Sequence, residues 1–341
     1  MSTTTTSTVS LPSGLPELRP SRSDATAAER ARSLRASIDA AVRDFGAVLV
    51  RGLDVSDHDT AREVGRALID RPMIEREPFA PRVDKGGGLY SSSEWPADSP
   101  LCMHHELSYL SEVPSRIVFS CLRAPAAGGS TGLADAGQVL RLLPAGLRDR
   151  AARHGWLLTR SYNPALGMSW QQAFGTDDRA ELVRLCARER ITLTWPAETV
   201  LHTSRVRPAV VAHPQSGVQL WFNQLAFLSS ATMDPVIRDY LLFEFGPDGL
   251  PFDTALGDGS PLGAELVQAI NRAYDGCTLA EPWRDGDVLV VDNLRMAHSR
   301  APFEGAREVV LMLGNPVRID PGLSAGQGSP PAEPGLGIIR N

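Results

Sequence analysis

A mainly β fold, a sandwich or barrel decorated by helical insertions, is what this 341-residue sequence predicts. Two observations carry that reading. Apolar runs over Gly46–Gly52, Ser115–Leu122, Gly217–Asn223, Asp287–Val291 and Glu308–Leu313 have strand length and turn residues at their ends, and they cluster on either side of a stretch with helical periodicity. They also fail to alternate regularly with helices, as the strands of a doubly wound parallel sheet would. Hydrophobic residues make up 43% of the chain, which is ordinary for a globular protein with a real core.

Taken in order, residues 1–22 are polar and broken by prolines, so a disordered N-terminal segment is expected. Ser23-Asp24 then offers an N-cap for an Ala/Arg-rich amphipathic helix reaching about Asp44, followed by the buried strand before Gly52 and a second helix from Asp57 to Asp70. The insert, about 137–275, carries helical patterns at Gly137–His154, Asp177–Arg190, Asp234–Phe245 and Gly263–Tyr274. Residues 321–341 are poor in core side chains and read as a flexible tail. One domain over 23–320 is expected, with neither an internal repeat nor a linker.

The formal charge of -6 comes without a basic stretch, which argues against nucleic acid or an anionic membrane as partner. Cys102, Cys121, Cys186 and Cys277 lack C-x-x-C spacing, so neither a zinc knuckle nor a disulfide framework is indicated. The start of the chain has no basic, apolar leader and no apolar run is long enough to span a bilayer. A cytoplasmic protein acting on a small molecule is expected, and the sequence does not set its oligomeric state.

The chemistry concentrates in two places. His104 and Glu106 form an H-x-E pair, and His298 follows the strand Asp287–Val291 beyond a polar turn, with Arg307 nine residues further on. In extended backbone the period of two puts His104 and Glu106 on one face and His105 on the other. A zincin site beginning at His105 would need histidine where Tyr109 stands. A lone histidine is more often a satisfied core or surface group than a ligand; an H-x-E pair, a later histidine and an arginine in this order weaken that bland reading. Two imidazoles and one carboxylate fill half of an octahedral Fe(II) shell and leave room for a chelating cosubstrate and O2. A 2-oxo acid would chelate the iron, with its far carboxylate taken by the guanidinium fork of Arg307 and a hydroxyl from Thr131. Because the imidazoles must be neutral to ligate, binding is expected to weaken in mild acid.

With those residues in place, the chain resembles the taurine dioxygenase and clavaminate synthase superfamily of Fe(II)/2-oxoglutarate oxygenases, and within it the syringomycin-type amino-acid hydroxylase branch. The resemblance spans roughly residues 25–318 and runs through Leu49-Val50-Arg51-Gly52, Tyr90 to Pro96, His104 to Tyr109, Gly128 to Thr131, Trp221 to Gln224 and Asp292 to Arg307. It implies a double-stranded β-helix (jelly roll) core, with His104, Glu106 and His298 on iron and Thr131 with Arg307 on 2-oxoglutarate. Three positions depart from the pattern. Glu106 stands where most relatives have Asp, Leu311 replaces the second arginine of taurine dioxygenase and makes a sulfonate substrate doubtful, and Glu308 follows Arg307 where the branch often has a basic residue. Related halogenases put a small residue at the carboxylate position, so Glu106 favours hydroxylation over chlorination.

The substrate implied is an amino acid or a derivative of one, free or tethered to an aminoacyl carrier protein, in specialised metabolite biosynthesis. Desaturation, epoxidation and cyclisation remain open beside hydroxylation. Ser92, Glu94, Asn223 and Arg300 are candidates for the substrate pocket, each also explicable as a turn or structural polar residue. A serine hydrolase is the competing class: Gly128-Gly129-Ser130-Thr131-Gly132 matches a nucleophile elbow, with Asp287 or Asp292 and then His298 in hydrolase order. That reading needs a strand directly before Ser130 and a helix directly after it, and it leaves His104, Glu106 and Arg307 without a role.

Overall fold

Period-two alternation in four strands divides the interior into two cores. In Ala47–Val50, Glu112–Arg123, Val288–Asp292 and Glu308–Arg318, the odd positions Leu49, Ile117, Phe119, Leu289, Val291, Val309, Leu311 and Leu313 pack into one cluster. The even positions Val48, Val50, Val118, Val288, Val290, Val310 and Met312 pack into another. A strand buried on both faces reads as a continuous apolar run, which is why these were legible as sequence. The computed structural model describes residues 8–21, 24–246 and 248–319.

These strands form the centre of a seven-stranded sheet in the order Thr8–Ser10, Pro16–Leu18, Ala47–Val50, Val288–Asp292, Glu112–Arg123, Glu308–Arg318, Leu89–Ser91. A four-stranded sheet, Thr278–Glu281, Thr131–Asp135, Met296–Arg300 and Leu101–His104, contributes Leu101, Leu133, Ala134 and Ala297 to the odd-position core. Two sheets, antiparallel except where Pro16–Leu18 runs parallel to Ala47–Val50, close over one core and make the double-stranded β-helix. The even face is covered by the helices Ala27–Phe45 and His58–Leu68 through Ala31, Leu34, Ile38, Val64 and Leu68.

The first helix is capped by Thr26, whose hydroxyl takes the Glu29 N–H while Glu29 returns a bond to the Thr26 N–H. The expected cap at Ser23-Asp24 is thus displaced to Thr26; Ser23 lies outside the described residues. The helix stops at Gly46, at φ 84°, where a Cβ would come within 2.5 Å of Met296 Sδ. Backbone conformation and crowding both demand glycine there.

Two expectations are corrected. Residues 8–21 are not a loose leader: they carry two strands, and Glu17 is buried against Arg51 at 2.9 Å, which in turn meets Asp287 at 3.3 Å. Residues 1–7, 22 and 320–341 lie outside the described residues, as does the tail expected at 321–341. The insert is helical only in part. Gly137–His154 is split by Pro144 into Ala136–Leu142 and Ala145–His154, and a four-stranded antiparallel sheet of Thr192–Ala197, Val200–Arg207, Trp156–Tyr162 and Phe252–Leu256 lies beside the helices. Its strand Val200–Arg207 turns Leu201, Thr203, Arg205 and Arg207 inward, so its buried face is mostly polar and gives no apolar alternation to read.

Candidate metal centre

His104 closes the strand Leu101–His104, and His298 sits inside Met296–Arg300. The two strands are antiparallel with His298 directly opposite His104, so both imidazoles leave one face as a cross-strand pair with ring centroids 4.3 Å apart. The second strand is not expected from the sequence, which sets His298 beyond the polar turn that follows Val291. Glu106, expected in extended backbone, instead lies in a turn in which Leu107 adopts φ 56°.

Asn293 holds that turn. Its Oδ1 accepts the Glu106 N–H at 2.8 Å, while its Nδ2 donates to the Glu106 carbonyl at 2.9 Å and the Pro114 carbonyl at 2.8 Å. His105 points away from the site: Nδ1 donates to the Asn293 carbonyl at 2.7 Å, and the His105 carbonyl accepts Gln224 Nε2 at 2.6 Å. His105 thus stands apart from His104 and Glu106 through side-chain clamping rather than through strand pleat.

One donor atom from each of His104, Glu106 and His298 falls within 4.8 Å of the others, and all three side chains are buried. His104 Nδ1 donates to the Cys102 carbonyl at 2.9 Å, which leaves the lone pair on Nε2. That Nε2 and Glu106 Oε1 are buried with no hydrogen-bond partner. Two unpaired buried acceptors side by side are costly. A divalent cation between them removes that cost, and a set of two imidazoles and one carboxylate suits iron. Phe227 stacks on the His104 ring at 4.8 Å and Phe79 meets its edge at 5.5 Å, an apolar wall that excludes water.

The other carboxylate oxygen, Glu106 Oε2, lies 3.7 Å from His298 Nε2 and accepts Arg82 Nη2 at 2.8 Å. Arg82 also reaches Glu75 at 2.9 Å and Ser93 at 3.1 Å. Burial pushes the Glu106 carboxyl up, but the Arg82 guanidinium and the neighbouring histidines outweigh it and hold the group well below the usual carboxylate range. None of Glu75, Arg82, Phe79, Phe227 or Asn293 was singled out from sequence as acting on the metal site. No local motif marks Glu75, Arg82, Phe79 or Phe227, whereas Asn293 falls in the Asp292 to Arg307 stretch of the resemblance.

Burial lowers His104 to about 3 and His105 to about 4, and raises Glu75 to about 7. Burial thus favours the neutral form of His104 into mild acid in the absence of a metal. A further consequence falls on stability. Unfolded histidines take up protons below 6.5, the native ones do not, so their contribution is complete above that pH and is lost as pH falls toward 4. Glu75 acts oppositely, since its native form binds the proton first. Two groups against one leave a net loss of stability as pH falls from 6 to 5. Urea midpoints of the metal-free protein at those two pH values check this, and an unchanged midpoint would refute it.

A cavity beside the triad is lined by Arg82, Ser92, Leu101, Thr131, Arg300, Arg307 and Leu311 among others. Arg307 spends only Nε, on the Gly129 carbonyl at 3.1 Å, and burial with the nearby Arg300 lowers it to about 10. A desolvated guanidinium with its fork unspent seeks an anion. Arg300 lines the same cavity, yet its two Nη groups are tied to the carbonyls of Trp95, Pro96 and Ser99. Of the four substrate candidates only Ser92 and Arg300 reach the cavity. Glu94 is solvent-exposed, and Asn223 is buried elsewhere with its amide spent on Ala209 and Leu225. Ser130 is followed by the strand Thr131–Asp135, not by a helix, so no nucleophile elbow forms.

A family model described as taurine catabolism dioxygenase TauD, TfdA family matches residues 16–314. The chain belongs to that family. It is an Fe(II)- and 2-oxoglutarate-dependent dioxygenase, with O2 as the second cosubstrate. It is 31% identical over 280 residues to the dapdiamide synthesis protein DdaC of Enterobacter agglomerans, covering 82% of this chain and 85% of that one. A clavaminate synthase-like protein of Arabidopsis thaliana is 27% identical over 289 residues, covering 81% and 83%. Among solved structures, PvcB, described as an Fe, alpha-ketoglutarate dependent oxygenase from an isonitrile synthetic pathway, superposes with TM-score 0.52 at 17% identity, over 92% of this chain and 93% of that one. The PvcB protein from Pseudomonas aeruginosa gives 0.51 at 18%, over 91% and 90%. At such identity the likeness speaks for the fold. Among the described residues no helix is long and apolar enough to cross a membrane.

Proposed function

We propose that His104, Glu106 and His298 hold the iron, that Arg307 with Thr131 holds the far carboxylate of 2-oxoglutarate, and that the enzyme hydroxylates an unactivated C–H bond of an amino acid or amino-acid derivative. The observation that carries the site assignment is the pair of orphaned acceptors, His104 Nε2 and Glu106 Oε1, beside a half-buried arginine whose fork is unspent. Bound iron with 2-oxoglutarate and O2 supplies an oxidant able to take hydrogen from such a bond. The chain's part is to bind, orient and keep water out. Arg307 receives an anion at a place where partial burial already weakens hydration of the guanidinium, and Phe79 and Phe227 pack against the His104 ring. Ser92 and Arg300 border the space next to the triad, where the substrate carbon would have to sit.

The substrate class rests on the likeness to a dapdiamide synthesis protein and on the syringomycin-type motifs. Leu311 on the cavity wall speaks against a sulfonate, because no second guanidinium stands at that position. A succinate assay over free amino acids and their carrier-protein thioesters, with mass spectrometry of products, tests it. A gain of one oxygen supports hydroxylation, whereas loss of two hydrogens points to desaturation or ring closure. For Arg307→Met we expect 2-oxoglutarate to bind about 10- to 100-fold more weakly, the loss of a charge-assisted pair worth roughly 1.5–3 kcal/mol. Anaerobic titration of the visible iron-chelate band measures it, and unaltered affinity would remove Arg307 from the site.

A further inference from the structure

Arg82 makes a set of contacts that the iron and cosubstrate assignments leave unused. Its Nη2, Nη1 and Nε are engaged by Glu106 Oε2, Glu75 Oε1 and Ser93 Oγ, at 2.8, 2.9 and 3.1 Å. The side chain is 4% exposed, and the Glu106 side chain 0%. A planar fork gripped in three directions in a dry interior does not turn without breaking charge-assisted bonds. Glu106 therefore has one oxygen that is spoken for and one, Oε1, that is buried and unpaired.

The supporting segment is itself anchored. Glu77, buried at φ 50°, meets Arg205 through both carboxylate oxygens and accepts Tyr162 OH at 3.2 Å, while its carbonyl takes Tyr109 OH at 2.7 Å. Between that anchor and Arg82, Phe79 meets the edge of His104. Residues 75–82 thus set the surroundings of two proposed ligands at once.

The asymmetry at Glu106 has a chemical consequence. A glutamate can offer a metal one oxygen or two. In a six-coordinate shell, two histidines and a two-oxygen carboxylate leave two positions, which a chelating 2-oxo acid would fill. A one-oxygen carboxylate leaves three, so that one remains for O2. The extra rotor of glutamate makes the two-oxygen mode easier to reach than it is for aspartate.

We propose that Arg82 is a positioning residue that reserves Oε2 of Glu106, so that Glu106 gives the iron Oε1 alone and a coordination position stays open. The proposal rests on the iron reading above. Its plain competitor is that Arg82 only neutralises a buried carboxylate for folding.

The deciding measurement on the unaltered chain is a crystal structure grown anaerobically with Mn(II) and 2-oxoglutarate. Metal on Oε1 alone, with Arg82 still on Oε2, is the expected result; both oxygens on the metal, or Arg82 swung off Oε2, overturns it. Arg82→Met and Arg82→Lys supply the functional arm, read by the anaerobic Fe(II)/2-oxoglutarate band and by melting of the metal-free protein. In Arg82→Met, Fe(II) and 2-oxoglutarate binding should weaken by about 10- to 100-fold with a displaced band, and Arg82→Lys should recover only part, because an ammonium lacks the fork. If charge neutralisation were the whole role, Arg82→Lys would restore both melting and band completely. Should Arg82→Met not fold, the lysine variant and the Mn(II) structure still decide. An unaltered chain that gives no band defeats the iron reading and the proposal with it. A band that both variants leave unchanged defeats the assignment of Arg82 alone.

Discussion

Replacing His104 by alanine is expected to abolish the anaerobic iron and 2-oxoglutarate band and all succinate formation, while Ser130→Ala leaves both intact. Loss of an outer partner of a metal ligand already costs about 10- to 100-fold in affinity or activity, and loss of the ligand itself should exceed that. The fold should survive, because His104 makes one side-chain hydrogen bond, to the Cys102 carbonyl, and its Nε2 is an unpaired acceptor in the metal-free protein. Circular dichroism and melting check that point. The reverse outcome, turnover lost with Ser130 and kept without His104, would reinstate the hydrolase reading.

The second large effect is on stability. Arg205→Met is expected to destabilise the protein by about 3–5 kcal/mol, because it strands a buried carboxylate. Arg205 and Glu77 side chains are 0% and 4% exposed, joined at 3.2 and 2.5 Å. The double change Glu77→Gln with Arg205→Met should cost less than Arg205→Met alone, since no unpaired charge remains. Urea denaturation of the three proteins measures the difference, and a double variant at least as unstable as the single one would show that the pair is not what fixes the segment. Because residues 75–82 also carry Phe79 and Arg82, Arg205→Met should in addition loosen iron binding from a distance.

Strands, donor residues and the insert sheet differ in how far their determinants are spread along the chain. The sandwich core was legible because the Val/Leu/Ile runs at 47–50, 117–122, 288–291 and 309–313 bury both faces, a property a strand displays without its neighbours. The H-x-E pair, His298 and Arg307 stood out because the metal and anion chemistry proposed for them restricts residue type. The sheet of the insert was not, since the inward positions Thr203, Arg205 and Arg207 are polar and find their partners elsewhere in the chain. The N-terminal strands were hidden for a related reason, being short and tied down by Glu17 on Arg51.

What the sequence determined by itself, then, was the donor set and the alternating strands, both of which depend on residue type and near-neighbour spacing. Only the tertiary structure decided that His298 would stand opposite His104, that Asn293 would turn Glu106 inward and His105 outward, and that Arg82 would take one oxygen of Glu106. The physical reason is register: a strand pairing joins residues far apart in the chain, and a shift of one position would send either histidine to the opposite face of its sheet.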